Sequence, residues 1–437
     1  MPHSHKLKLS VLLIAATYSS LSFGAGYGII EQSVTGLGRA FAGSAAVAED
    51  SSTIFFNPAG LTNLKHAEIA AGMNYIRPNS EFKDNGSALP NFGGLGGFSG
   101  QPLTGGDGGD AGKNAFVPNL YYSQPINDTM VAGIGINAPF GLVTEYDDDW
   151  QGRYHAVKSD LKTININPTF AYKASDKLSV GVGIDLQYID LELTQMADLG
   201  ARAGFPQGAG LPFATDGKVK ITADDWSWGY NLGLTYNFQE ATRLGIAYRS
   251  KISHELKGTA KLRNATDTTL ADENVSGKVT MPETLSFALH HQLNNKWAIM
   301  GDATWTRWSR FQELVIESDG ILNSSKEENW GNTMRYGLGL TYAHNEKWTF
   351  RSGIAYDETP IPDPQHRTAR IPGNDRKWLS FGASYKATEN LVIDAGYSHL
   401  FISDTKIDET DDNGYNLNGT YESDVDLLGV QARWYFI

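Results

Sequence analysis

The sequence predicts an all-β chain: a 14-stranded antiparallel transmembrane β-barrel whose lumen holds an N-terminal hatch, or plug. Three observations carry that prediction. A secretory leader is followed by no apolar run long enough for a spanning helix, period-two alternation recurs in segments too long for a soluble sheet, and the connections alternate between short and long. Composition agrees by exclusion. Among 437 residues, 36 Lys and Arg face 49 Asp and Glu, a formal charge of −13, so no basic stripe suits a nucleic acid. The lack of cysteine excludes a disulfide scaffold, a thiolate metal site and a Cys nucleophile. Charged residues are scarce at 19%, whereas 47 Gly, 10 Trp, 20 Tyr and 19 Phe are many.

Residues 1–24 read as a signal peptide. Lys6 and Lys8 supply the positive start, residues 9–16 the apolar core, and Ser22 and Gly24 the small positions before the cut. Losing those two lysines takes the formal charge from −13 to −15.

The strands follow from alternation. From Trp226, one face carries Trp226, Trp228, Tyr230, Leu232, Leu234, Tyr236 and Phe238, with Ser227, Gly229, Asn231, Gly233, Thr235 and Asn237 between them. An ordinary soluble strand averages about five or six residues; this run has thirteen. Aromatics flanking an aliphatic middle match the two interfaces of a bilayer. Similar alternation runs through residues 164–172, 178–188, 285–290, 336–342, 379–385 and 428–436. In all, fourteen strands are expected, beginning near residues 67, 115, 130, 161, 178, 218, 242, 275, 296, 330, 347, 376, 391 and 424. Residues 174–177, 293–296, 344–347 and 387–390 are short turns. Residues 79–114, 145–160, 196–217, 317–329, 358–375 and 404–423 are long loops. Short turns on one rim and long loops on the other are the plan of an outer-membrane barrel.

Residues 67–437 are therefore the barrel. Fourteen strands spaced ~4.8 Å and tilted ~40° enclose a cylinder roughly 25–30 Å across, too wide for wall side chains to fill. Residues 25–66 are the expected filling. They lack a strand pattern, are rich in Gly and Ala, and carry apolar residues such as Ile29, Phe41, Ile54 and Leu61. A disordered tail is polar, and this segment is not. Asp50-Ser51-Ser52 reads as a helix start, and Asn57-Pro58-Ala59-Gly60 as a stop.

Here the residues resemble a known family. Gly36-Leu37-Gly38-Arg39-Ala40-Phe41-Ala42-Gly43, then Ala45-Ala46-Val47-Ala48-Glu49-Asp50, then Asn57-Pro58-Ala59-Gly60-Leu61 are similar to the hatch signature of the FadL family of long-chain fatty acid and hydrocarbon transporters. Ala138-Pro139-Phe140-Gly141-Leu142, residues 150–157, Tyr248-Arg249-Ser250, Met281-Pro282-Glu283, and residues 305–311 and 370–379 follow in the family's order. The resemblance covers the whole mature chain. It implies a monomeric barrel in the Gram-negative outer membrane, inserted by the barrel-assembly machinery among outer-membrane lipid and lipopolysaccharide. It also implies that Asn57, Pro58, Ala59 and Gly60 form a hatch motif, and that the wall has a sideways exit.

The third strand offers its own evidence for that exit. Met130, Ala132, Ile134 and Ile136 alternate outward and then meet Pro139. Seven residues tilted at ~40° climb roughly 18 Å, short of the ~25 Å apolar band. A proline within the membrane's depth lacks an N–H for the ladder and belongs at an edge or bulge. Asn137, Pro139, Phe140 and Gly141 are the expected kink. In the fifth strand the phase above Tyr188 turns Ile189, Leu191 and Leu193 inward. With Ile29, Phe41, Phe140 and Leu142, these are the expected substrate-binding residues. A sixteen-carbon chain gains on the order of 12 kcal/mol by leaving water, at ~0.8 kcal/mol per CH₂, so an apolar route suits such a cargo and a water-filled pore does not.

The expected function is passive uptake of hydrophobic compounds, long-chain fatty acids or related hydrocarbons, by loop capture, hatch rearrangement and lateral exit at the kink. A general diffusion porin and, behind it, a barrel lipid hydrolase are the alternatives. In the family's best-known fatty acid carriers, basic wall side chains meet the carboxylate. The matching stretches here, residues 189–193 and 313–316, hold no Lys or Arg. Arg249 and Arg351 are candidate substitutes, and neutral hydrocarbons or esters stand level with a fatty acid anion. The last residue, Ile437, follows the Phe436 that normally ends such barrels. No cofactor or metal is expected. In the Gly-rich run of residues 93–113, Asp107 and Asn114 break a phosphate-loop pattern. In residues 408–414, Glu409 stands where a calcium loop starts with Asp. The histidines lack metal or triad spacing.

Overall fold

Alternation along the chain becomes a closed wall. The structure is a computed structural model describing residues 26–90, 100–201, 213 and 215–437; the expected signal peptide lies outside the described residues. Fourteen wall strands form one antiparallel sheet: β1 (Ala67–Asp84), β2 (Ala115–Pro125), β3 in two parts (Met130–Asn137 and Gly141–Glu145), β4 (Lys158–Lys173), β5 (Leu178–Asp198), β6 (Asp216–Gln239) and β7 (Thr242–Arg249 and Ile252–Asn264). They continue as β8 (Thr269–Met281 and Thr284–Gln292), β9 (Trp297–Thr306 and Glu313–Ser318), β10 (Ser324–Glu327 and Thr333–Ala343), β11 (Trp348–Asp357), β12 (Arg376–Lys386), β13 (Leu391–Ile402 and Thr405–Thr410) and β14 (Asn416–Phe436). The sheet closes where β1 meets β14, in register from Ala67↔Phe436 to Asp84↔Gly419. Phe436 is the last paired residue, leaving Ile437 beyond the strand.

The outward positions carry the bilayer face. Trp226, Trp228, Leu232, Leu338 and Val430 are exposed, Trp228 at 67%. Strand starts expected near 161, 218, 275, 330 and 424 fall instead at 158, 216, 269, 324 and 416. All five lie at the long-loop rim. There the strands keep pairing above the membrane with polar residues outward and Val219, Ile221 and Ala223 buried inward. The outward apolar signal vanishes where the bilayer ends, although the ladder does not. Much of the expected loop 404–423 is likewise a hairpin, Thr405↔Tyr421 to Thr410↔Asn416.

Residues 26–66 pack against this wall through almost their whole length. Three single-turn helices, α1 (Val34–Leu37), α2 (Ser44–Val47) and α3 (Thr53–Phe56), precede a 3-10 turn at Pro58–Asn63. Wall glycines admit the segment. A Cβ added at Gly382 would stand 2.6 Å from Gly38 Cα, and one at Gly396 3.1 Å from Val34 O. Charges tie it down as well: Glu49 lies 3.3 Å from Arg39 and 3.0 Å from Arg351 of β11. Asn57 starts the 3-10 turn, its Oδ1 accepting from Ala59 N at 3.1 Å. Its Nδ2 donates to Ala45 O at 2.6 Å and to Leu234 O of β6 at 3.0 Å. The motif Asn57, Pro58, Ala59 and Gly60 thus joins the segment's own turns to the wall.

Candidate functional site

The ladder between β2 and β3 is interrupted. Pairing runs from Pro125↔Val131 to Leu120↔Ile136 and resumes in the same register at Gly112↔Thr144. Between these, residues 113–119 and 137–143 form no ladder pairs with one another. Seven residues of strand span about 23 Å at ~3.3 Å each. The wall therefore has a window with a closed rim below and above.

The kink creates it. Between Asn137↔Asn165 and Gly141↔Lys162, the three residues 138–140 oppose two, 163–164, so β3 bulges. Pro139 sits at the centre, where its missing N–H leaves no donor unmet. The freed backbone groups find other partners, as buried groups must. Thr163 Oγ1 accepts from Phe140 N at 3.0 Å and donates to Phe140 O at 2.7 Å. The N-terminal segment supplies the rest: Ile29 N donates to Pro139 O at 2.8 Å, and Gly141 N to Tyr27 O at 2.8 Å. The Gln32 amide donates to Ala138 O at 2.7 Å and accepts from Ala138 N at 3.2 Å. Behind the window, residues 27–32 take the place of β2.

Two apolar cavities flank this contact. The lower, about 170 Å³, is lined by Ile29, Phe41, Pro139, Phe140 and Trp308 among others. The upper, about 50 Å³, is lined by Leu142, Ile189, Leu191, Leu193, Glu328 and Arg370 among others. The inward turn of Ile189, Leu191 and Leu193 is real, and β5 pairs β6 without a register shift from Leu178 to Asp198. The seven apolar residues expected in one pocket are divided between two. Tyr27 divides them: it borders the upper cavity, and its ring lies 6.1 Å from Phe140, 4.9 Å from Trp308, 5.5 Å from Phe311 and 5.7 Å from Trp330. Gly26 makes room for the cage, since a Cβ there would stand 2.6 Å from Trp330.

Both wall arginines offered for a cargo carboxylate are engaged elsewhere. Arg249 bonds the Asp185 carboxylate and donates to Phe55 O at 2.9 Å. Arg351 holds Glu49 and donates to Ser384 Oγ at 2.6 Å. Arg249, Arg335 and Arg376 border the lower cavity, and the cation bordering the upper one is Arg370, on the chain between β11 and β12. It donates to neutral groups: Lys158 O at 3.2 Å, Ser159 Oγ at 3.1 Å, Thr194 O at 3.5 Å and Gln195 Oε1 at 2.6 Å. Burial lowers its pKa to about 10, so it remains a cation at neutral pH. Glu328, in the turn of β10 above the membrane, borders the same cavity, and its Oε2 accepts from Trp330 Nε1 at 3.0 Å. Burial, helped by the nearby Glu409 charge, pushes Glu328 up to about 8. Glu409 moves the other way: burial opposes its ionisation, but His155 and Lys326 outweigh it and hold the carboxyl at about 2.

The pH dependence follows. Below about pH 8 Glu328 is protonated and adds no negative charge beside Arg370, whose neighbour Glu409 is held by His155 and Lys326; above it, Glu328 ionises and competes for that cation. Binding of a carboxylate ligand is expected to weaken between pH 7 and 9, and Glu328→Gln to abolish that trend. Oleate titrations of both proteins across this range check it; identical slopes would show that Glu328 does not face the ligand.

The sequence model of the outer membrane protein transport protein family (OMPP1/FadL/TodX) matches residues 15–436. The chain belongs to that family. It is similar to outer membrane protein P1 of Haemophilus influenzae, with 33% identity over 91% of this chain and 90% of the relative. It is also similar to the long-chain fatty acid transport protein of Escherichia coli O6:H1, with 31% identity over 92% of each. Among solved structures, a FadL homologue of Pseudomonas aeruginosa superposes with a TM-score of 0.85 at 27% identity, covering 94% of this chain and all of the other. As a FadL-family member the chain is a β-barrel transport protein of the Gram-negative outer membrane for hydrophobic compounds, and not an enzyme.

Residues 305–311 and 370–379 carried a signal for the site in the sequence, as stretches similar to the family, but nothing there marked Trp308, Phe311 or Arg370 as neighbours of Tyr27 and Leu191. Among the described residues, His399, Asp424 and Asp426 have metal-ligand spacing. They lie on β13 and β14 away from both cavities, and His399 Nδ1 already lies 3.0 Å from Asp426 Oδ1.

Proposed function

We propose that this FadL-family barrel takes up long-chain fatty acids by passive diffusion, capturing them beneath the extracellular loops and releasing them sideways through the β2–β3 window. The observation that carries the reading is Arg370. A half-buried cation whose hydrogen bonds all go to neutral groups favours an added anion, and this one borders a cavity walled by Leu142, Ile189, Leu191 and Leu193. A carboxylate on an aliphatic tail satisfies both halves of that surface.

The steps follow from the contacts. Cargo filling the upper cavity presses on Tyr27 and turns it out of the cage of Phe140, Trp308, Phe311 and Trp330. Moving Tyr27 breaks its bond to Gly141 N and, through Ile29, the bond to Pro139 O. The two cavities then merge, and residues 27–32 withdraw from behind the window. The tail slides past Phe140 into the outer leaflet without rewetting, so the partition energy of the chain drives the step and no other energy source is needed. Residues 25–66 act as a hatch throughout. The chain works as a monomer among outer-membrane lipid and lipopolysaccharide after insertion by the assembly machinery.

Competition binding on the purified protein tests the reading. Oleate is expected to bind at least about tenfold more tightly than hexadecane, the worth of a charge-assisted hydrogen bond, and to displace it. Equal affinities would return neutral hydrocarbons to first place, and a large ion conductance in planar bilayers would favour a general porin.

A further inference from the structure

A row of carboxamides crosses the wall at the lower edge of the window. Register places Gln431 of β14 opposite Gly72 of β1 and Gly72 opposite Asn119 of β2. Across the window, Asn137 of β3 stands opposite Asn165 of β4, and Asn165 opposite Gln187 of β5. Asn119 and Asn137 are the first two residues that the β2–β3 ladder fails to join, one at each side of the sill. All five amides are buried.

Four members of the row have partners. Gln431 Oε1 accepts from Val34 N at 3.2 Å, and its Nε2 lies 3.1 Å from Asp50 Oδ2. Asn165 Nδ2 donates to Asp185 Oδ1 at 2.7 Å and to Asn137 Oδ1 at 3.4 Å. Gln187 Oε1 lies 3.1 Å from His254 Nε2. Asn119 differs. It is 4% exposed, and neither its Nδ2 nor its Oδ1 has a partner. Asn137 Nδ2 also lacks one. Gly72 leaves the Asn119 amide room to lie over β1, because a Cβ there would stand 2.6 Å from Asn119 Oδ1. A buried carboxamide with both ends unmet is rare in folded proteins.

Given the uptake reading above, on which this rests, we infer that Asn119 is a head-group site of the exit: it recognises the neutral carboxylic acid form of the cargo as the head crosses the sill into lipid. A carboxamide offers one donor and one acceptor side by side. A protonated carboxyl group presents the complement, its carbonyl accepting from Nδ2 and its hydroxyl donating to Oδ1. A carboxylate has no hydrogen for Oδ1, an ester has none either, and an alkane has neither group. Arg370 holds the cargo as an anion near water, from which the carboxylate takes a proton as it leaves the cation, whereas the unpaired amides of the sill carry no net charge and suit a neutral head about to enter hydrocarbon, where a charge is expensive. The segment at residues 27–32 covers this level when seated: Asn74 Nδ2 donates to Glu31 O at 2.7 Å and Tyr121 Oη to Gln32 O at 3.0 Å. Its withdrawal uncovers the amide.

The test compares uptake of radiolabelled hexadecanoic acid, methyl hexadecanoate and hexadecane by cells whose sole copy of the full-length protein is wild type, Asn119→Leu or Asn119→Gln. Asn119→Leu is expected to lower acid uptake about five- to tenfold, one or two hydrogen bonds' worth, with ester and alkane unchanged. Asn119→Gln, which keeps the amide, is expected to restore most of the acid rate. An equal fall for all three compounds would mean that Asn119 only shapes the wall, and no fall would mean that water satisfies it; either overturns the inference while the uptake reading stands. Should wild-type cells take up none of the three compounds, the uptake reading falls and the inference with it.

Discussion

Deleting Ala138 together with Pro139→Val is expected to reduce fatty acid uptake to the level of cells lacking the protein. The deletion leaves two residues opposite 163–164 and removes the bulge. Valine restores the N–H that Pro139 lacks, and the six residues left between Ile136 and Thr144 can then pair with residues 114–119 of β2 in the register fixed at Leu120↔Ile136, Thr144 moving from Gly112 to Lys113. Six register positions of ladder would be gained, each bond worth about 1 kcal/mol net. Against this stand the lost bonds from Ile29 to Pro139 O and from Gly141 to Tyr27 O, and the two between Gln32 and Ala138. The balance favours closure, so the variant is also expected to melt at a higher temperature than the parent. Uptake assays and thermal unfolding in detergent check both results. Normal uptake through a wall shown to be closed would end the lateral route.

The second large effect is expected at Arg370. Arg370→Met removes the cation but keeps an unbranched apolar stem. Oleate affinity should fall about ten- to a hundredfold, corresponding to 1.5–3 kcal/mol for hydrogen bonds to a charged group. Hexadecane affinity should hold or rise slightly. Arg370 also bonds Lys158 O, Ser159, Thr194 O and Gln195, so the alkane measurement doubles as a check that the upper cavity keeps its shape. Arg370→Lys, which retains the charge without the planar fork, should fall between the two. Loss of affinity for both ligands in equal measure would make Arg370 a structural clasp, and unchanged oleate binding would place the carboxylate elsewhere.

How much was legible varies by element and follows from the range of the interactions involved. The bilayer fixes the period and length of a strand such as residues 226–238, so the wall could be read locally. The kink was also local, because a proline without an N–H inside a membrane strand has few possible meanings. The upper rims were harder: above the bilayer the outward residues become polar, and β6 and β14 begin two and eight residues before their expected starts. The site was only half visible. Ile189, Leu191 and Leu193 turned inward as the phase demanded, yet they share a cavity with Leu142 and not with Ile29 or Phe41. Arg249 and Arg351, plausible partners for a carboxylate in one dimension, are bonded to Asp185 and Glu49.

By itself the sequence determined that this chain is a fourteen-stranded barrel whose third strand is interrupted at a proline, because those features rest on a repeat of two, on chain length and on one missing hydrogen-bond donor. Only the tertiary structure decided what lines the two cavities. Tyr27, Phe140, Trp308 and Trp330 lie up to 303 positions apart, and Arg370 reaches the cavity from a loop whose path no local pattern encodes. Contacts of that kind arise when a closed wall folds a linear order around a shared interior.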